Sequence, residues 1–190
     1  MLKRLGLGLL KGLIIGGAIG AGLQYGLRWD EPVSTLLGFL IAMGVAGTTG
    51  VGYLNLRSYV STADLQLRTA FQAFRAQDVR DFVIDLRYNG GGLVSTAELI
   101  DNLLGGDRTA ADTQYTIVHS PGKSGQNSTV RFQPQAQSVR PVRIAFLTTA
   151  ATASASEINI NAMHAWTEVA IVGSDTYGKP VGQLAFDLGN

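Results

Sequence analysis

The sequence predicts an α/β domain of layered βαβ units preceded by a Gly-rich hydrophobic helical hairpin. Three observations point there. Charged residues make up 15% of the 190 positions, well below the usual quarter, and the few before residue 50 flank two apolar runs instead of being scattered through them. After residue 50, short apolar runs of strand type alternate with amphipathic helical patterns. Loops rich in Gly, Ser and Thr follow those runs, where an open α/β sheet carries its site.

Residues 1–50 hold Lys3, Arg4, Lys11, Arg28, Asp30 and Glu31 as their only charges, and these flank two apolar runs. The run over 12–27 is uncharged, and with Lys11 snorkelling the usable span starts at residue 5, long enough to cross a bilayer as a helix. A second uncharged run covers 33–56, and Arg28-Trp29-Asp30-Glu31-Pro32 between them reads as a short interfacial loop. Gly8, Gly12, Gly16 and Gly20 would form one smooth helix face for close approach of another helix, which would suit a homo-oligomer. The competing readings are a secretory signal, from the basic start at Met1-Leu2-Lys3-Arg4, and two halves of separate origin. The expected division is a membrane anchor over 1–50 and a catalytic-type core over 51–190, the latter truncated at its C-terminus.

Within the core, residues 51–60 alternate in places like a strand, and Ser61-Thr62-Ala63-Asp64 offers an N-cap for a helix over 65–77. The run 82–86 is a short buried strand that ends in the loop Asn89-Gly90-Gly91-Gly92, and a helix over 95–104 stops at Gly105-Gly106. Two short strands are expected at 115–119 and 129–132, separated by turns at Ser120-Pro121-Gly122 and Gly125-Gln126-Asn127-Ser128. A buried strand over 142–148, a helix over 154–166, a strand over 169–172, a loop over 173–182 and a last strand over 183–188 complete the pattern.

Composition excludes several classes. Fifteen Lys and Arg against fourteen Asp and Glu give a net charge of +1, too little field to hold a polyanion, so nucleic acid is not expected as a partner. With no Cys there are no disulfides, thiolate nucleophiles or thiolate metal sites. His119 and His164 lack neighbours at metal-ligand spacing, so a zinc site has little support. His164 lies on the helix that starts near Ser154, about 15 Å further along, so the two cannot touch.

Three loops carry chemistry. Around Ala151-Thr152-Ala153-Ser154-Ala155-Ser156-Glu157, small residues let the backbone turn sharply and leave the Ser154 hydroxyl open, while the helix start aims free N–H groups at negative charge. The same residues also read as an ordinary capped helix start. Lys179, between Gly178 and Pro180, would act as a base for a serine only as a desolvated, neutral amine; otherwise it is a solvated loop lysine. The glycines of 89–92 can turn backbone N–H groups toward an oxyanion, and no phosphate-loop pattern follows them.

Together the loops resemble the carboxyl-terminal processing peptidases, or tail-specific proteases, a family of Ser-Lys serine endopeptidases. Asp85-Leu86-Arg87-Tyr88-Asn89-Gly90-Gly91-Gly92 is similar to the family's Asp-Leu-Arg-x-Asn-x-Gly-Gly segment, Ala153-Ser154-Ala155-Ser156-Glu157-Ile158 to its nucleophile turn, and Val172-Gly173-Ser174-Asp175-Thr176-Tyr177-Gly178-Lys179 to its Val-Gly-x-x-Thr-Phe-Gly-Lys loop. The resemblance implies a ClpP/crotonase-like core and assigns Ser154 as nucleophile, Lys179 as general base, and Gln183 as the residue that orients the lysine. It implies an oxyanion site made of the Ala155 N–H and a glycine-loop N–H, at Gly90 or Gly91. Position 165, eleven after Ser154, is Ala where the family often has an acidic residue, and nothing resembles the PDZ module that usually precedes this core.

The implied activity is hydrolysis of unstructured or C-terminal protein segments through an acyl-enzyme, with protein or peptide substrates and no cofactor. The alternative from another class is a catalytically compromised peptide-binding module tethered to a membrane through residues 5–50, and a third is an oligomerising membrane element. The expected location is membrane-anchored with the core on the extracytoplasmic (periplasmic) side.

Overall fold

Alternating apolar and small residues from Val51 onward set the first long strand, and the polypeptide then repeats a strand–helix unit three times. The computed structural model describes residues 44–46 and 50–183. Its elements are β1 (Gly44–Ala46), β2 (Val51–Asn55), a 3-10 turn (Ser61–Ala63), α1 (Asp64–Ala76), β3 (Asp81–Asp85), α2 (Val94–Leu104), β4 (Thr113–Ile117), a 3-10 segment (Pro121–Gln126), β5 (Ser128–Arg131), β6 (Arg143–Thr148), α3 (Ala155–His164) and β7 (Glu168–Gly173). One five-stranded sheet runs β1-β2-β3-β6-β7, and β4-β5 form a separate antiparallel ribbon. Strands β2, β3, β6 and β7 are parallel, while β1 pairs antiparallel to β2.

Because each crossover steps to the next strand in the same direction, right-handed connections deliver the helices to one face of the sheet. The burial pattern agrees: Leu54, Phe82, Ile84, Ile144 and Phe146 are buried on that face, with Leu67, Phe71 and Phe74 of α1, Ile100 and Leu103 of α2, and Ile160 and Met163 of α3. In α1 the spacing Leu67, Ala70, Phe71, Phe74 is one helical stripe, and the rings of Phe71, Phe74 and Phe82 interlock with centroids 5.4 to 6.3 Å apart. On the opposite face the register aligns Val51, Asp81, Arg143 and Glu168, and Arg143 clasps Asp81 through two hydrogen bonds.

Two expectations change. The apolar run 33–56 is not one membrane-crossing helix, because Gly44–Ala46 and Val51–Asn55 are strands whose backbone groups pair with each other and with β3. The expected strand over 51–60 ends at Asn55, and Tyr59 makes an isolated parallel bridge to Gly92 in the loop after β3. Among the described residues no helix is long and apolar enough to cross a membrane. The hairpin's first run, over 5–27, and the expected strand over 183–188 lie outside the described residues, apart from residue 183.

Candidate active site

The ends of β3 and β6 and the loop after β7 meet at one edge of the sheet. Asn89, fully buried after β3, is the joint between them. Its Nδ2 donates to Leu56 O at 2.8 Å, its Oδ1 accepts the Gly91 N–H at 3.0 Å, and its carbonyl oxygen accepts Ala153 N–H (3.1 Å) and Ser156 Oγ–H (3.0 Å). The glycine loop therefore rests directly on the turn that carries Ser154. A Cβ on Gly91 would stand 2.8 Å from Ala153 O and from Ser154 Cβ, and Gly91 has φ +100, so only glycine fits.

Ser154 sits at the N-cap of α3 with φ 59 and ψ −117, a conformation that costs a non-glycine residue of order 1–3 kcal/mol and persists only where surrounding bonds impose it. Those bonds are present. Thr152, fully buried, donates its hydroxyl to Leu86 O at 2.8 Å, and the Glu157 N–H returns to the Ser154 carbonyl oxygen at 2.8 Å. The turn has the form of a capping box, with the Ser154 N–H bonded to the Glu157 side chain. Ser154 is half-buried and Ala155 buried.

The feature that sequence reasoning missed is Glu157. Its Oε2 accepts Ser154 N–H (2.7 Å) and Lys179 N–H (2.9 Å), and its Oε1 accepts the Thr176 hydroxyl and the Gly178 N–H, both at 2.7 Å. One carboxylate thus clamps the loop after β7 to the start of α3. Burial alone would raise its pKa, but the four donors from Thr176, Lys179, Ser154 and Gly178 outweigh burial and hold it below the ordinary glutamate value. A Glu three positions after a Ser is the signal of a capping box, which conceals this second use. The loop is fastened again by Tyr177 N–H to Thr152 O at 2.8 Å and by Thr148 Oγ1–H to Ser174 O at 2.7 Å.

Lys179 is half-buried, and its Nζ lies 3.4 Å from Oε1 of the exposed Gln183, so these two predicted site residues are brought together. Of the predicted oxyanion donors, Gly91 has its N–H engaged by Asn89 Oδ1, Gly90 is exposed, and Ala155 opens the first turn of α3, where helix N–H groups lack intrahelical acceptors. Ala165 and His164 are exposed at the far end of α3, away from the turn.

Beneath the glycine loop, Asp85 accepts the Tyr53 hydroxyl (2.7 Å) and a two-point clasp from Arg87 (2.9 and 2.7 Å). Burial pushes this carboxyl up, but bonds from Arg87 and Tyr53 prevail and hold it at about 2. Among the described residues no cluster of His, Cys, Asp or Glu is arranged to hold a metal ion.

The family model described as Peptidase family S41 matches residues 50–190. The carboxy-terminal processing protease CtpA of Bacillus subtilis is 27% identical over 135 residues, covering 71% of this chain and 27% of that protein. The chloroplastic carboxyl-terminal-processing peptidase 1 of Arabidopsis thaliana is 32% identical over 143 residues, covering 75% and 28%. The chain therefore spans little more than a quarter of the length of these relatives. Among solved structures, a putative S41 protease from Bacteroides fragilis superposes with TM-score 0.66 at 26% identity, covering 76% of this chain and 41% of that one. The photosystem II D1 C-terminal processing protease does so with TM-score 0.55 at 25% identity, covering 71% and 35%. Three loops of family type on one sheet edge, a shared fold and a family match over the whole core lead to one conclusion: this chain belongs to peptidase family S41, a family of serine peptidases.

Proposed function

We propose that the chain is the catalytic core of a serine endopeptidase in which Ser154 and Lys179 form the reacting pair and which acts on unstructured or C-terminal segments of other proteins. The observation that carries this reading is the Glu157 clamp. A single carboxylate binds the N–H of Ser154 and the N–H of Lys179, so the two loops are docked on each other. In the proposed reaction the Lys179 amine takes the Ser154 proton, and Oγ adds to the peptide carbonyl carbon. The carbon–nitrogen bond then breaks, the leaving amine takes the proton from the Lys179 ammonium, and water hydrolyses the acyl-enzyme by the same route. Gln183 steadies the amine, and the oxyanion is met by the Ala155 N–H and a glycine-loop N–H.

The processing role is proposed from the names of the relatives and from the site chemistry together. Ser154→Ala and Lys179→Met, assayed on extended peptides with free C-termini, test it, with intact-mass detection of a fluorophosphonate adduct as a second readout. Wild-type turnover and labelling, both lost in Ser154→Ala, are expected; undiminished turnover by Ser154→Ala refutes the assignment. Peptide binding without any adduct in the wild type would instead indicate the binding-module reading. The tether is proposed on sequence alone: residues 5–27, with their basic start, anchor the core on the extracytoplasmic side of a membrane, and protease accessibility in intact cells checks it.

A further inference from the structure

Four residues past the end of β2, Tyr59 touches both halves of the site. Its backbone N–H donates to Gly91 O at 3.1 Å and its carbonyl oxygen accepts Leu93 N–H at 2.8 Å, forming a parallel bridge to Gly92. The approach is so close that a Cβ on Gly92 would lie 2.2 Å from Tyr59 O. The side chain, with no exposed surface, runs through the core, and its hydroxyl donates to Asn159 Oδ1 at 2.6 Å, on α3 five positions after Ser154. Asn159 Nδ2 in turn donates to Asp101 Oδ1 (2.7 Å) and Ala97 O (2.9 Å), which ties α3 to α2.

Burial drives the Tyr59 phenol far above its usual range, and Asp101 is likewise raised by burial, opposed by the Asn159 bond and reinforced by Glu98. Asp101 Oδ2 has no partner among the described residues. Polar groups so deeply placed cost stability compared with an apolar core, and what they supply is a unique mutual orientation of the elements they join.

We propose that Tyr59 is a positioning residue for the proposed acyl transfer: its backbone holds the glycine loop, its hydroxyl holds α3 through Asn159, and one side chain thereby sets the distance between the glycine loop and the Ser154–Ala155 turn. The inference rests on the peptidase reading above. It acts through other residues, since the phenol lies in the core and touches no reacting atom.

The test is Tyr59→Phe in the full chain, which removes one oxygen and leaves the ring and backbone. Because displacements of about 1 Å at a reacting centre lower rates by roughly a hundredfold, kcat on a peptide and the rate of fluorophosphonate adduct formation are expected to fall about ten- to a hundredfold, with KM within about twofold. Backbone amide resonances of Gly91, Gly92 and Ala155 are expected to shift together. Phe74→Leu, in the aromatic cluster under α1, serves as a control for lost stability and leaves kcat per folded molecule unchanged. Should Tyr59→Phe fail to fold, Asn159→Ser breaks the same link from the other side and carries the same expectations. In an active protein, unchanged kcat and labelling, or a loss no larger than that of Phe74→Leu, overturns the role of Tyr59 alone. A wild-type chain that forms no adduct and turns over no peptide overturns the peptidase reading and this inference with it.

Discussion

Replacing Glu157 by Gln probes the clamp with almost no change of shape. The carboxylate accepts four donors at 2.7, 2.7, 2.7 and 2.9 Å, two on each oxygen. An amide keeps one accepting oxygen and turns an NH2 toward the other two donors, so two bonds to a charged acceptor are lost. Bonds of that kind contribute about 1.5–3 kcal/mol each, and because the side chain is half-buried the lower figure applies, or about 3 kcal/mol for the pair. At about 1.4 kcal/mol per tenfold, docking of the Lys179 loop weakens by roughly a hundredfold, and kcat/KM on a peptide substrate should fall by a comparable factor. The clamp also has a pH signature. Its folded pKa lies below the unfolded value, near 4.3 for Glu, so its contribution is complete above that value and disappears as pH falls through the lower folded one. The wild type should therefore show an acid limb below about pH 4 that the Gln variant lacks. Hydrogen exchange at the Gly178 and Lys179 amides reads the docking directly. Unaltered protection of those amides together with kcat/KM within about threefold of wild type would refute the clamp.

Further outcomes follow from neighbouring positions. Gly91→Ala should abolish fluorophosphonate labelling of Ser154, since the added Cβ meets the nucleophile turn at 2.8 Å, whereas Gly90→Ala, whose Cβ finds nothing nearer than 3.9 Å, should fold and label; equal labelling of both would disprove the close contact. Asp85→Asn should lower the midpoint of thermal unfolding at neutral pH, and the loss should shrink as pH falls from about 4 toward 2. Over that range the wild-type carboxylate, ordinarily near 3.9 and held at about 2 here, takes up its proton and gives up the Arg87 and Tyr53 bonds. A pH-independent difference would show that Asp85 works by packing alone.

Much of the fold was legible in the order of residues because it depends on local rules. The stripe Leu67, Ala70, Phe71, Phe74 specifies a helix wherever it is placed, and the apolar runs beginning at 82 and 142 followed by Gly- and Thr-rich loops specify strands that end at a site. The run over 33–56 was not legible in the same way. An uncharged stretch satisfies a bilayer helix and a pair of buried strands equally well, and only pairing of Gly44–Ala46 with Val51–Tyr53 decides between them.

By itself, the sequence determined the chemical inventory: Ser154, Lys179, the glycines of 89–92, no thiol, and no His at ligand spacing. Only the tertiary structure decided how those parts are held. Glu157 reads locally as a cap, and its work as a clamp depends on donors from Thr176, Gly178 and Lys179, about twenty positions away. Tyr59, Asp101 and Asn159 carry no local mark of their association, because Tyr59 lies between regular elements and a polar helix residue such as Asp101 or Asn159 is ordinarily a surface residue; the sum of distant packing contacts removes all three from water and obliges them to bond to one another.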